Sequence, residues 1–79
     1  MQVRPMGPTA ALVECAPGAA GQIAAAASRR GLVPGRHGVV EVVPAATTVL
    51  IECTDPGALT SALEIMTAVL DGADGAPTP

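Results

Sequence analysis

Three short segments of the chain are apolar runs that a single charged position interrupts, and each segment predicts a β-strand. The apolar positions are mostly Val, Leu and Ile, which favour strands, and each segment carries one glutamate. A Pro-Ala-Ala turn connects the second and third segments closely enough to make them a hairpin. The three predicted strands cover residues 10–15, 39–43 and 47–53.

Two helices are predicted by apolar residues at helical spacing. The first covers residues 19–30 and is rich in alanine. Gly31 is expected to end it in a left-handed conformation, and Leu32 is expected to make the apolar contact that accompanies such an end. The second helix is expected to start at Asp55 and Pro56, because an acidic N-cap followed by proline suits the first turn.

The element order β-α-β-β-α predicts an α+β domain with a ferredoxin-like, split β-α-β sheet and both helices on one face. Such a fold ends in a further strand, which here is missing or supplied by the N-terminus, where residues 2–4 have weak strand character. We expect the strands at 10–15 and 47–53 to be parallel neighbours. The domain is predicted to cover residues 1–71, and residues 72–79 are predicted to be a flexible tail.

Composition excludes several classes of protein. The chain has 79 residues, is 49% hydrophobic, contains no aromatic residue and has a net charge of −3. These values argue against disorder and against nucleic-acid binding, and no apolar stretch is long enough for a membrane span. Two cysteines without a signal peptide predict reduced thiols and a cytoplasmic location. A core this thin predicts a protomer that needs a partner.

Two cysteines and the single histidine form the first candidate site. If the strands at 10–15 and 47–53 are parallel, then Cys15, Cys53 and His37 lie at one end of the sheet, with Arg36 beside the histidine. A small metal or redox protein would use such a group. Metal ligands usually include a close pair such as C-x-x-C, which this chain lacks, so buried free thiols and a loop histidine are favoured and no metal is predicted.

The outer face of the sheet, away from the helices, is the second candidate site. It is predicted to carry one glutamate per strand together with four aliphatic residues. Paired carboxylates can act as acid and base, but a solvent-facing surface is the simpler interpretation, and an apolar face rimmed by glutamates favours partner binding over catalysis. The predicted partner-binding residues are Leu12, Glu14, Val39, Glu41, Val43, Leu50 and Glu52.

No sequence pattern predicts a cofactor or a catalytic residue within this chain. Residues 31–38 contain three glycines but lack the Lys-Ser/Thr of a phosphate-binding loop. Ser28 and Ser61 lack a nucleophile motif or a base nearby in sequence. We therefore predict that nucleotide, if one is used, is bound by another domain.

Several motifs resemble the N-terminal domain of the KipI-type 5-oxoprolinase family, also called allophanate hydrolase subunit 1 or carboxyltransferase subdomain. The resemblance covers roughly residues 1–70. Its most specific part is the VPA hairpin that leads to an Asp-Pro helix start. The motifs are AALVE at 10–14, GVVEVVPA at 38–45, TTVLIE at 47–52 and Asp55-Pro56.

Two departures from the family pattern are visible, since Pro8 replaces an aspartate and Cys53-Thr54 replaces an aromatic residue. Family members also continue into a cyclophilin-like barrel that this sequence lacks. The resemblance implies a carboxyltransferase-like partner subunit and ATP-dependent hydrolysis of 5-oxoproline, or of an allophanate-like substrate, by the complex. In some members it implies inhibition of a histidine kinase. Assembly with a hydrolase partner, kinase regulation and self-association all remain open.

Overall fold

The computed structural model describes residues 2–70, which form four strands and two helices. The strands build one antiparallel sheet in the order β1-β2-β4-β3. Within these residues, neither helix is long and apolar enough to cross a membrane. In chain order the elements are β1 (Gln2–Pro5), β2 (Ala10–Glu14), α1 (Ala20–Arg29), β3 (Val39–Pro44), β4 (Thr48–Cys53) and α2 (Pro56–Leu70).

The N-terminal strand β1 completes the sheet. It pairs antiparallel with β2, with Val3 opposite Val13, and takes the edge position that the final strand of a ferredoxin-like fold would occupy. The ferredoxin-like α+β fold is therefore confirmed, and its last strand is supplied by the N-terminus. The sheet therefore has the four strands that a ferredoxin-like fold requires. The predicted tail, residues 72–79, lies outside the described residues.

The prediction that the strands at 10–15 and 47–53 are parallel is wrong. β2 and β4 are antiparallel neighbours, with Ala10 opposite Glu52 and Glu14 opposite Thr48. The connection through α1 makes β2 parallel to β3, but the hairpin then inserts β4 between them and reverses its direction. In this split β-α-β arrangement the two parallel strands, β2 and β3, are therefore separated by β4.

Both helices pack on one face of the sheet and share a single core. Small residues such as Ala27 of α1 and Ala62 of α2 lie in this core, where alanine lets the helices approach the strands closely without any aromatic side chain. Its largest fully buried side chains are Val13, Leu32, Val49, Ile51 and Met66.

The C-terminal end of α1 has the predicted left-handed turn. Gly31 has φ +100°, its N–H donates to the carbonyl of Ser28, and the N–H of Leu32 donates to the carbonyl of Ala27 at 3.0 Å. These two bonds satisfy carbonyls that the last turn would otherwise leave unpaired. Leu32 then enters the core, 2% exposed, and so anchors the loop that follows.

The start of α2 is fixed by Asp55. Its Oδ1 accepts a hydrogen bond from the backbone N–H of Ala58 at 2.8 Å, as expected for an N-cap residue, and Pro56 occupies the first helical position. Both predictions for this helix start are confirmed. The cap sets the point at which the chain leaves β4 and turns onto the helical layer.

Candidate partner-binding surface

An apolar row crosses the outer sheet face, the side of the sheet that the helices do not cover. The strand register aligns Leu12 of β2 with Leu50 of β4, and Leu50 with Val43 of β3. Arg4 of β1 stands opposite Leu12 and ends the row. Leu12 and Leu50 are half-buried and Val43 is 40% exposed, so three aliphatic side chains form a continuous band next to solvent.

Glutamates lie on both sides of this row. Glu14 is one diagonal step from Arg4 and forms a salt bridge with it. On the other side, Glu41 and Glu52 are directly opposite each other on β3 and β4, and both are exposed. Within residues 2–70 no salt bridge joins either of them to a cation. The row is therefore flanked by one carboxylate that Arg4 neutralises and by two that form no salt bridge in the part of the chain that the structure describes.

Val39 does not belong to this surface, contrary to the sequence prediction. It is 4% exposed and lies in the core opposite Cys53. The register shifts between Val39 and Glu41, so Val40 is an additional residue that interrupts the period-two alternation. As a result Val39 turns inward, while Val40 is 47% exposed at the edge of the sheet.

Two further exposed residues were not predicted from the sequence, Arg4 on the outer sheet face and Val40 at the edge of the sheet. The sequence indicates that Arg4 belongs to a short N-terminal strand, but its pairing with Glu14 depends on the register of β1 against β2. Val40 could not be found from alternation, because its exposure results from the bulge. The other predicted residues of this face keep their predicted side of the sheet: Leu12, Glu14, Glu41, Val43, Leu50 and Glu52.

The two cysteines lie at opposite ends of the sheet. The N–H of Cys15 donates to the carbonyl of Thr47, whereas the N–H of Cys53 donates to the carbonyl of Thr9. Six residues of strand separate these positions, or roughly 20 Å, whereas a disulfide needs Cα atoms within about 7 Å. The prediction that both cysteines share one end with His37 is wrong for Cys15, because β2 and β4 are antiparallel.

Both thiols face the helical layer, as predicted, and both are free. Burial raises the pKa of the Cys15 thiol, and burial together with the nearby Asp55 carboxylate raises the pKa of the Cys53 thiol. The protonated thiol is neither a good nucleophile nor a metal ligand. Among residues 2–70 no three Cys, His, Asp or Glu side chains are grouped closely enough to hold a metal ion.

His37 lies in the loop before β3, at the same end of the sheet as Cys53. The next residue, Gly38, accepts a hydrogen bond from the Thr54 N–H at 2.8 Å, which ties this loop to the end of β4. His37 itself is exposed and has φ +54°, a left-handed conformation that is uncommon outside glycine. It faces a groove beside α2 and not the outer sheet face.

Comparison of the chain with models of known protein families, with curated proteins and with solved structures found no match.

Proposed function

We propose that this chain is a non-catalytic assembly and recognition domain that binds a partner protein through its outer sheet face. The observation that carries the proposal is the uncovered row of Leu12, Leu50 and Val43. A band of aliphatic side chains flanked by charged residues has the composition of an interface core with a polar rim. The thiols do not offer a competing site, since they lie apart and are held protonated.

Charge supports a different protein over a second copy as the partner. Two copies packed face to face with their strands running in the same direction would bring Glu41 and Glu52 of each chain against the same residues of the other. The chain already carries a net charge of −3, and carboxylates closer than a Debye length of about 8 Å repel one another. A complementary partner presents an apolar patch with Arg or Lys at its rim, opposite these two glutamates.

We further propose that the partner is a carboxyltransferase-like subunit and that the assembled complex hydrolyses 5-oxoproline with ATP. The support is the order and spacing of the AALVE, VPA and Asp-Pro motifs, which resemble the KipI-type 5-oxoprolinase family. In this proposal the nucleotide is bound by the partner, and this chain contributes an assembly surface.

Substitution of Leu50 by Arg tests the surface. This change places a charge in the centre of the row, and we expect it to abolish binding to the carboxyltransferase-like subunit of the same organism, measured by titration calorimetry. Gln22→Arg is the matched control, because it adds the same charge on an exposed position of α1 and should bind normally. Circular dichroism of both variants checks that the domain remains folded.

Three outcomes would count against the proposal. Normal binding by Leu50→Arg would exclude this face as the docking surface. Failure of the unaltered chain to bind the proposed partner, or to support ATP-dependent hydrolysis with it, would exclude the hydrolase assembly. A concentration-dependent dimer that Leu50→Arg dissociates would show that the face binds a second copy.

A further inference from the structure

A second surface feature lies on the helical side of the molecule, away from the outer sheet face. It is a groove of about 480 Å³ between the end of α1, the loop before β3 and the exposed side of α2. This volume lies within the range of small-molecule sites, roughly 300–1,000 Å³. Its walls are formed by Arg30, His37, Ser61, Glu64, Ile65 and Ala68.

The chain brings these side chains together from three separate elements. The α2 residues of the groove follow the spacing i, i+3, i+4 and i+7 from Ser61, so they form one stripe along the helix. The left-handed turn at the end of α1 places Arg30 at one side. The loop supplies His37, which sequence spacing alone would not associate with Ser61 or Glu64.

The loop that carries His37 is held in place by its own backbone. The N–H of Gly35 donates to the carbonyl of Val39 at 2.8 Å, and the N–H of Val39 donates to the carbonyl of Arg36 at 2.9 Å. Thr54 ties Gly38 to the end of β4. These bonds fix the backbone on both sides of His37, so its left-handed conformation is maintained and the imidazole is presented to the groove.

The groove lining combines both signs of charge with an apolar wall. The Arg30 guanidinium has five N–H donors and can bind a carboxylate while keeping other contacts, and the Ser61 hydroxyl can donate beside it. Glu64 is an acceptor for an ammonium group. Ile65 and Ala68 are half-buried and provide a surface for an aliphatic group. Glu64 would repel a ligand that carries only negative charge, and Arg30 would repel a ligand that carries only positive charge.

We infer that this groove binds a free α-amino acid with an aliphatic side chain. Its carboxylate contacts Arg30 and Ser61, its ammonium group contacts Glu64, and its side chain packs on Ile65 and Ala68. His37 forms the loop side of the groove. This site is independent of the partner surface, because it lies on the helical side of the molecule and shares no residue with the outer sheet face.

The inference is tested with L-leucine and two matched compounds that each lack one charge. 4-Methylpentanoate keeps the carboxylate and isopentylamine keeps the ammonium group. We expect L-leucine to give saturable chemical-shift changes at the backbone amides of His37, Ser61 and Glu64 in nuclear magnetic resonance spectra of the full chain. Each half-compound should bind about tenfold more weakly or worse, since each loses one charge-assisted contact.

Glu64→Gln keeps the size of the side chain and removes its charge, so it should weaken L-leucine binding by about tenfold or more. Gln22→Glu makes the reverse chemical change at an exposed position of α1 that belongs to neither surface, and it should leave the affinity unchanged. The inference is overturned if L-leucine gives no saturable shift, if a half-compound binds as well, or if Glu64→Gln binds normally while remaining folded. None of these results depends on whether a partner binds the sheet.

Discussion

Glu41 and Glu52 are paired across β3 and β4, so two carboxylates face each other on the outer surface of the sheet. Like charges in directly opposed positions destabilise an antiparallel pair. The ion pair of Arg4 with Glu14 lies on the other side of the apolar row. The free domain therefore carries an electrostatic cost at the position where the proposed partner would supply a positive charge.

Neutralising one member of this pair should stabilise the isolated domain. We expect Glu52→Gln to raise the free energy of unfolding by about 0.2–1 kcal/mol at low salt, and less at high salt where the repulsion is screened. Urea denaturation at two ionic strengths measures both effects. The same variant should bind the proposed basic partner more weakly.

The matched comparison is Glu14→Gln, which removes the carboxylate that Arg4 already neutralises. Because that pair is partly exposed, the change should lower the free energy of unfolding by no more than about 1 kcal/mol. The two variants are thus expected to shift stability in opposite directions. A stability loss for Glu52→Gln as large as that for Glu14→Gln would show that the paired glutamates do not repel each other.

The cysteines should differ in their reactivity and should not pair with each other. Cys15 is half-buried and Cys53 is 4% exposed, so a thiol reagent should modify Cys15 first in the folded protein. Mild oxidation should leave the monomer without an internal disulfide, because the two residues are at opposite ends of the sheet. Mass spectrometry of the labelled protein measures both outcomes, and an intramolecular Cys15–Cys53 bond would contradict the strand directions.

Alkaline pH should destabilise the domain through Cys53. Burial and the Asp55 carboxylate raise the pKa of this thiol above its ordinary value of 9.0, so the folded state retains a proton that the unfolded state releases. The stability contributed by the neutral thiol is complete below pH 9.0 and is lost as the pH rises through the raised folded value. Urea denaturation between neutral pH and the alkaline range should show this decline.

Cys53→Ala distinguishes the destabilisation caused by ionisation of this thiol from other effects of alkaline pH. The variant should be less stable at neutral pH, since it loses a buried sulfur, but its stability should fall less steeply above pH 9.0. Cys15→Ala is the companion variant, because burial also raises the pKa of that thiol. An equally steep decline in the double variant would mean that the thiols do not cause it.

Gly38 should be the most sensitive glycine in the loop that carries His37. Its φ is +79°, and a Cβ atom there would lie 2.7 Å from the Cβ of Ala58. Gly35 has a similar φ of +88° but open space around it. Gly35→Ala should therefore lower the free energy of unfolding by about 1–2 kcal/mol, because alanine disfavours the left-handed conformation. Gly38→Ala should lower it by more, because the new Cβ also clashes with Ala58. Thermal and urea denaturation of the two variants compare these costs.

A second substitution isolates the clash at Gly38. Ala58→Gly removes the atom that the new Cβ would meet, so it should recover part of the stability lost in Gly38→Ala. A double-mutant cycle should show favourable coupling between the two sites. Strict additivity would mean that the loop is not packed against the first turn of α2.

The positions of the elements could be predicted from the sequence because their signals are local. Short runs of aliphatic, largely β-branched residues mark the strands, and the caps at Gly31 and Asp55 act within a few residues of the helix ends that they fix. The packing of both helices on one side of the sheet follows from the same patterns, since each strand has one apolar face for the helices to cover. The row through Leu12 and Leu50 was likewise visible, because alternation in β2 and β4 is uninterrupted.

The sequence correctly predicted that β2 and β4 are neighbours, but only the tertiary structure decided the direction in which they run relative to each other, because that depends on how the hairpin inserts into the sheet. That decision separated Cys15 from Cys53 and removed the candidate metal or redox cluster. The bulge at Val40 moved Val39 into the core, since one extra residue reverses the faces of a strand. The groove beside α2 also required folding, because its charges come from residues that are distant in sequence.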